Sequence, residues 1–394
     1  MLSLRMDSHL IETARIEPPA VAGLPAGRKA VYTGRVSYLF AFDLAYDMIR
    51  KPVRELLGQP VAQFSVDASK RGPRQLFFFR PQMVRLPPIE RIGPRGPVRC
   101  ERTIKLLPVG AASISVSIPF EVDSIKDLVV YHDLEFNNGN LQREVRALAE
   151  QVRQELSSYY VRPAANLLDE EAYTVFCLDG PLIGPDGAPR NAEDWLAEHR
   201  PEVAALLTQE PDVESLSRQE ASESTGRYLS YYQDDLVVID WDAALIIERP
   251  ASVDESIYIM ELANLQLAEL EAYDHLLDNA LERSYRDLAS RSGRNRGAVL
   301  RELREIRIDM ARFSDELSNI TKFFGDWHLA RIYENISARF HLADWHRNVD
   351  EKLKTLDNLY QLLIHDQNNR WMLLLEVTIV LLFIIDLFLL VKGR

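Results

Sequence analysis

The feature that most constrains this chain is a continuous apolar stretch, WMLLLEVTIVLLFIIDLFLLV, at residues 371–391. In helical form it extends about 31 Å, which is enough to cross the ~30 Å hydrocarbon core of a bilayer. Arg370 and Trp371 lie at its near edge and Lys392 follows its far edge, as is typical of an anchored span. We therefore expect residues 371–391 to form a single transmembrane helix.

The first twenty residues have no apolar core of the kind found in a secretory signal. This pattern favours a tail-anchored protein that is inserted after synthesis. In a bacterium, it predicts a single-pass protein of the inner membrane with its N-terminal bulk in the cytoplasm. The lipid bilayer is thus the first expected partner.

Two carboxylates lie within the apolar stretch, Glu376 and Asp386, each about five residues from an edge. Ionisable residues at such depth are costly and usually face another helix or water. Two interpretations stay open. In the first, both carboxyls are protonated or extend to the membrane interfaces. In the second, the protein is a homo-oligomer whose spans meet and shelter them.

The residues before the span have the periodicity of long helices. Residues 254–290 predict one helix, and residues 290–297 a turn. The next helix alternates spacings of three and four at a predicted stalk seam, which consists of Leu303, Ile306, Met310, Phe313, Leu317, Ile320 and Phe324. This spacing is typical of a coiled coil. An intramolecular antiparallel hairpin fits it equally well, and the two interpretations can both hold.

A last helix is predicted from Trp327 into the span, because no proline or glycine interrupts it before the span ends. Residues 327–370 would then form a stalk of about 65 Å.

The part before residue 250 mixes strands with short helices. Strands are predicted at 31–42, 75–80, 102–109, 113–120, 171–180 (ending in a turn) and 228–233, followed by a hairpin that turns at 240–242. Helices are predicted from about Leu44, at 124–134, at 141–159 and at 191–208. Alternating serines and apolar residues in 113–120 predict one wet face and one buried face. Residues 81–99 and 210–227 are predicted to be loops.

The fold class expected from this order is α+β, in which N-terminal mixed α/β units precede a long helical hairpin or coiled-coil stalk and one C-terminal transmembrane helix. The predicted organisation is a flexible arm at 1–28, a basic domain at 29–165, a second α+β unit at 166–250, the helical hairpin and stalk at 251–370, and the span at 371–391.

Charge is distributed unevenly along the chain. Residues 1–105 carry 18 basic and 9 acidic residues, whereas the remainder carries 28 basic and 50 acidic ones. The acidic part can dock on the basic part, or the basic part can bind an anionic partner such as RNA, the ribosome or anionic lipid. The candidate anion-binding residues are Arg80, Arg85, Arg91, Arg95, Arg99 and Arg102.

Known catalytic motifs are missing from the sequence, including the P-loop, the dinucleotide-binding fingerprint, HExxH and GxSxG. Cys100 and Cys177 are too far apart to form a CxxC pair and are interpreted as core thiols. Four aspartates at 234, 235, 240 and 242 are interpreted as turn residues. We therefore expect no catalytic residues, no metal site and no cofactor.

Three segments resemble the required-for-meiotic-nuclear-division family: YQDDLVVIDWDAALII at 232–247, ELANLQLAELEAYDHLLDNAL at 261–281 and LDNLYQLLIHDQNNRWMLLLEVTIVLLFIIDLF at 356–388. The similarity covers roughly residues 170–394. It implies a membrane-anchored, homo-oligomeric protein without established enzymatic activity, whose mitochondrial relatives support translation at the inner membrane.

The order of a soluble domain, a long helix and then LYQLLIHDQNNRWM at 359–372 also resembles the pentameric magnesium-channel family. This chain departs from that family in having one span instead of two and no Gly-Met-Asn motif. The function expected from the sequence is therefore a membrane-anchored scaffold or tether, and a stalked oligomeric ion channel is the alternative. A membrane-bound enzyme is a third and weaker hypothesis.

Overall fold

The computed structural model describes residues 32–392 apart from 50, 65–80, 94, 137–138, 164–166, 168–169, 181, 185–187, 249, 290–300, 302–303, 306 and 309–326. The predicted arm at 1–28, the strand at 75–80, Arg80, the turn at 290–297 and every residue of the stalk seam lie outside this part of the chain.

A nine-stranded sheet forms the centre of the described structure. Its strands are β1 (Tyr32–Asp43), β5 (Ala62–Gln63), β6 (Gln82–Gly93), β7 (Gly96–Leu106), β8 (Ala111–Val122), β12 (Glu171–Leu178), β13 (Tyr228–Leu229), β14 (Leu236–Ile239) and β15 (Ala243–Ile247). They lie in the order β13-β14-β15-β12-β1-β8-β7-β6-β5. Neighbouring strands are antiparallel except β12 and β15, which are parallel.

Short strands pair outside this sheet: β2 (Ala45–Met48) with β11 (Tyr160–Pro163), β3 (Glu55–Leu56) with β4 (Gln59–Pro60), and β9 (Glu135–Phe136) with β10 (Gly139–Asn140). The helices are α1 (Leu141–Glu155), α2 (Ala192–Glu198), α3 (Arg200–Leu207), α4 (Arg218–Thr225), α5 (Pro250–Ala289), α6 (Trp327–Arg339) and α7 (Leu342–Lys392). Three-residue-per-turn helices span Ile125–Tyr131, Ser157–Tyr159 and Val213–Ser215.

Each face of the sheet buries its own core, because successive side chains of a strand point to opposite faces. In β1, Val36, Tyr38 and Phe40 join a core that α1, α2 and α3 cover. Leu39 and Ala41 face the other way, into a core covered by α5, α6 and α7. The protein is therefore a mixed α and β structure, as the sequence predicted.

Strands from both predicted units, 29–165 and 166–250, join this one sheet. The edge of β12 pairs with β1 over eight residue pairs, from Gly34–Leu178 to Ala41–Glu171. The boundary predicted at 165/166 therefore does not separate two sheets.

Several predicted elements are confirmed. The hairpin between β14 and β15 turns at residues 240–242, and the helix predicted at 254–290 is α5. Its apolar positions Ala263, Leu270 and Leu277 are fully buried. The helix predicted at 124–134 corresponds to the short helix Ile125–Tyr131. The helix predicted at 141–159 corresponds to α1, and that predicted at 191–208 to α2 and α3.

The short helix predicted from Leu44 is wrong, because residues 45–48 form strand β2. The backbone amides of Leu44 and Ala45 both donate to Gly110 O at 3.1 Å, and this interaction fixes the chain as it leaves β1. Gly110 has φ +96°, and a Cβ there would lie 1.9 Å from Ala45 O. A glycine is therefore required at 110.

The loop predicted at 81–99 is also wrong, since these residues form most of the β6–β7 hairpin. Pro87 and Pro88 fall at a register shift between Leu86 and Ile89. A β-bulge tolerates proline because the ladder hydrogen bond is already missing there. The prolines therefore mark a bulge inside a strand.

The loop predicted at 210–227 contains two helical segments, Val213–Ser215 and α4. Ser217 caps α4 by accepting a hydrogen bond from the Glu220 amide at 3.0 Å. The face of 113–120 that was predicted to be solvent-exposed is also only partly exposed. Ser113 is buried because α5 covers that end of β8.

The uninterrupted helix predicted from Trp327 is broken at Phe340–His341, where His341 has φ +49°. Phe340 packs edge-on against Tyr173 of the sheet, with ring centroids 5.2 Å apart. Burying Phe340 here turns the chain between α6 and α7. The 65 Å stalk is thereby replaced by two helices, both packed on α5.

Candidate membrane anchor and polar sites

Helix α7 connects the core directly to the apolar segment. Its first half buries Leu342, Val349, Leu353 and Leu356 in the core beneath α5. The same helix then continues without a break through Trp371–Leu389, a segment of mean hydropathy 2.7. Within the described residues, this is the one helix that is long and apolar enough to cross a membrane.

None of the Trp371–Leu389 window is buried against the protein. Glu376 and Asp386 are exposed on the same stretch of helix, with no ion pair to another described residue. Thr378 uses its hydroxyl within the helix, donating to Leu374 O at 2.7 Å. Arg370 and Lys392 lie on α7 at the two edges of the segment.

Ion pairs fix the axial position of α7 on α5. Lys352 Nζ contacts Asp274 at 2.7 Å and Asp278 at 2.6 Å. These contacts raise the pKa of Lys352 against the opposing effect of desolvation. Because each helical residue advances ~1.5 Å, residue 371 lies about 29 Å beyond Lys352 along the helix. The Lys352 contacts therefore lie well before the apolar segment.

The candidate anion-binding arginines of the β6–β7 hairpin are split between two faces. Arg91 and Arg102 lie on the face of buried Cys100, and Arg91 forms a two-point contact with Glu144 of α1 at 2.9 and 3.2 Å. Arg102 donates to Pro87 O at 3.0 Å. Burial and the neighbouring Arg91 lower the pKa of Arg102. This face is therefore engaged in packing the hairpin on α1.

The opposite face of the hairpin carries Arg85 and Arg99, which are exposed. Glu90 stands directly across from Arg99 in the ladder, and Glu101 lies 4.0 Å from it. Arg95, near the tip, contacts Asp127 at 2.9 Å. The structure therefore does not bring the five described candidate arginines together as one positive patch.

A buried ion pair that the sequence analysis missed joins the sheet to α5. Lys105 of β7 contacts Glu261 of α5, and Ser113 donates to the same carboxylate at 3.2 Å. The Lys105 ammonium also lies 4.7 Å from the Phe64 ring centroid and 5.3 Å from that of Tyr258. A carboxylate and an ammonium 156 residues apart leave no local sequence pattern that could reveal them.

A second buried group combines the residue types of a hydrolase triad without their connectivity. Ser256 Oγ donates to Glu248 Oε2 and His328 Nε2 to Glu248 Oε1, each at 2.8 Å. A nucleophile needs its base as hydrogen-bond acceptor, but here serine and histidine both donate to one carboxylate. The group fastens the start of α6 to α5 and β15.

Acidic side chains gather where β12 meets α5. The carboxyls of Glu171 and Glu271 share a hydrogen bond, and burial together with this neighbour raises the pKa of Glu171 to about 8. Burial and Asp240 raise the pKa of Asp242. Arg339 contacts Asp240 at 3.5 Å. No group of three metal-ligating side chains occurs among the described residues.

Comparison with known proteins identifies the sheet domain. A family model described as "Uncharacterized protein MJ0711, N-terminal domain" matches residues 33–253. The chain belongs to this family. The matched range begins in β1 and ends in the first turn of α5, so it includes the whole nine-stranded sheet apart from one terminal residue.

Among curated relatives, the chain is similar to the uncharacterized protein MJ0711 of Methanocaldococcus jannaschii. The two are 25% identical over 265 residues, which cover 67% of this chain and 79% of the relative. No solved structure matches the chain significantly. The sheet domain is therefore the part of the chain that the MJ0711 family model covers.

Proposed function

We propose that this protein is a membrane-anchored scaffold that holds its α+β domain close to a bilayer, with no catalytic step. The observation that carries the proposal is the continuity of α7. One end of this helix is part of the folded core, at Leu342 to Leu356, and the other is an unburied apolar segment of membrane-spanning length. A rigid helix that serves both roles transmits the position of the membrane to the domain.

The unburied apolar surface favours the interpretation that this segment is a membrane anchor and not a helix of a soluble core. Large side chains between Trp371 and Leu389 are 46–75% exposed. A soluble monomer rarely exposes a continuous apolar surface of this size. Insertion into a bilayer removes that surface from water, which stabilises the inserted state by about 25 cal/mol per Å².

The scaffold is proposed to act as a homo-oligomer. Glu376 and Asp386 are costly when they face lipid, and meeting spans would shelter them. The resemblance of residues 170–394 to the required-for-meiotic-nuclear-division family stays a prediction. Ribosome, RNA and anionic lipid stay proposed partners because residues 1–105 carry a net positive charge.

Membrane extraction tests the anchor. Leu374→Arg/Leu381→Arg places two guanidinium groups in the span, each costing about 2.5–3.5 kcal/mol on insertion. We expect this variant, and a deletion of residues 369–394, to be absent from the carbonate-washed membranes and to appear in the soluble fraction. Leu362→Arg is the matched control, because Leu362 is 62% exposed on the same helix but precedes the apolar segment. Carbonate-resistant association of the deletion variant would contradict the proposal.

Mass measurement in mild detergent tests the oligomer, and co-purification with the intact chain tests the tether. A defined multimer that retains a macromolecular partner supports the scaffold. If the intact chain, extracted from membranes in mild detergent, is a monomer and retains no partner, the scaffold proposal is contradicted.

A further inference from the structure

A cleft of about 360 Å³ opens on the sheet face opposite α5, over the ends of β1 and β12. Its floor is set by the strand register, in which Tyr38 pairs with Thr174 and Phe40 with Ala172. Paired residues project to the same side of a sheet. The small Ala172 side chain, beside two aromatic rings, leaves the open space.

The walls consist of residues 132–135, which follow the short helix Ile125–Tyr131, and of the start of α1. His132 fixes this segment, because its Nε2 donates to Leu206 O of α3 and its ring packs against Phe176 with centroids 4.9 Å apart. The phenol of Tyr38 donates to Tyr131 O beneath it. The cleft is therefore built from fixed elements on both sides and has the volume of a small-molecule site.

The charge of the cleft has one sign. Asp133 and Glu135 both line it, and no lysine or arginine is among its lining residues. Burial lowers the pKa of His132, so the imidazole is neutral at pH 7 and does not offset these carboxylates. Neither carboxylate forms an ion pair with another described residue.

The N-terminus of α1 does not reverse this preference. The Leu141 amide donates to Leu134 O at 3.2 Å, and the Arg143 amide donates to Asn140 Oδ1 at 3.0 Å. Helix amides that are already bonded within the wall are not available to an anion.

We infer that this cleft binds a small organic cation, with its ammonium between Asp133 and Glu135 and its apolar part over Tyr38 and Phe40. Two carboxylates attract the charge, and the aromatic floor gives the apolar part of the ligand a surface to pack against. The Thr174 hydroxyl on the floor provides a further hydrogen-bonding group. This site is independent of the membrane anchor.

Calorimetric titration of the full-length protein in detergent tests the inference, with phenethylamine and 1,4-diaminobutane as probes. 2-Phenylethanol and phenylacetate serve as neutral and anionic counterparts. We expect an amine to bind and Asp133→Asn/Glu135→Gln to weaken that binding at least about tenfold. Ala172→Leu, which fills the floor, should weaken it equally while the melting temperature changes little.

Glu121→Gln/Asp123→Asn removes the same formal charge from exposed residues of β8 and the following turn, and is the matched control. It should change amine binding by less than about twofold. Failure of both amines to bind at millimolar concentration, equal binding of phenylacetate, or an equal loss in the control would overturn the inference.

Discussion

Lys105 of β7 and Glu261 of α5 form an ion pair in which both side chains are almost wholly buried, with 9% and 2% exposure. This contact joins the MJ0711-family sheet to α5, which packs against α7, the helix that carries the apolar segment. Because neither charge can be solvated, the pair matters more for what happens when one partner is removed than for its own net energy.

Removing one partner should therefore destabilise the fold strongly. Lys105→Met leaves the Glu261 carboxylate buried without its counter-charge and should cost about 3–5 kcal/mol of unfolding free energy. Lys105→Met/Glu261→Leu should recover most of that loss. Denaturant unfolding followed by tryptophan fluorescence measures both.

The exposed pair Glu282–Arg286, at 70% and 69% exposure, is the matched control. Arg286→Met should cost less than about 1 kcal/mol. Equal losses in Lys105→Met and Arg286→Met would show that the buried pair has no special role.

Stability should fall as the pH rises from about 4.5 to about 8. The Glu171–Glu271 pair holds a proton in the folded state, because the pKa of Glu171 is raised to about 8 while an unfolded glutamate titrates near 4.3. The folded chain then binds more protons than the unfolded chain within this window, so raising the pH favours unfolding. Burial also raises the pKa of Asp43 to about 7, which acts in the same direction.

Glu271→Gln should flatten this dependence, since an amide can donate to an ionised Glu171. Melting temperatures measured at pH 5 and pH 8.5 should differ less in this variant than in the wild type, with the Asp43 contribution remaining. Glu282→Gln, a change of the same type on an exposed residue of α5, should keep the full dependence. A wild-type melting temperature that rises across this window would refute the assignment.

Binding of an anionic partner should depend on the exposed face of the hairpin. Arg85→Ala/Arg99→Ala should weaken binding of single-stranded RNA or anionic vesicles and reduce the salt slope by about one to two, because each phosphate contact releases counterions. Filter binding and vesicle co-sedimentation at several salt concentrations measure this.

Arg91→Ala is the informative comparison, because Arg91 is held by Glu144. It should reduce stability more than it reduces binding. Salt-independent binding, or no binding to either probe, would instead favour an internal role for the basic residues.

The sequence predicted those elements whose signal is local. Alternation of Ile114, Val116 and Ile118 identified β8, and the Asp240–Asp242 turn located the β14–β15 hairpin. It failed where tertiary packing overrides a local preference. Pro87 and Pro88 indicated a loop, but a bulge accommodates them, and Phe340 breaks a helix that contains no proline or glycine at that point.

The polar sites were less predictable than the apolar C-terminal helix. The residues of such a helix are consecutive in the sequence, so its length and hydropathy could be recognised directly. The β1–β12 cleft depends on strand order, which places β12 next to β1 although about 130 residues separate them. The Lys105–Glu261 pair depends on the packing of α5 against β7. Such placement is not encoded in any short segment.

The carboxylates in the span should influence assembly. Glu376→Leu and Asp386→Leu should insert normally and change the thermal stability of the oligomer, because they remove groups that meeting spans would shelter. Light scattering in mild detergent reports the mass. Thr378→Val is a control within the same span, as the Thr378 hydroxyl is satisfied by its own helix. A wild-type monomer would count against the oligomer.

Ion flux separates the tether from the channel. Around the helix, Thr378 lies about 200° from Glu376, so the two cannot line one narrow pore together. Most remaining positions carry leucine, isoleucine, valine or phenylalanine, and so apolar a bore tends to exclude water and block ions. We therefore expect reconstituted protein to give little Mg²⁺ or monovalent cation flux in a liposome dye assay. Robust flux that is lost in Glu376→Gln or Asp386→Asn would replace the scaffold with a channel, since only a conducting pore makes these carboxylates necessary for transport.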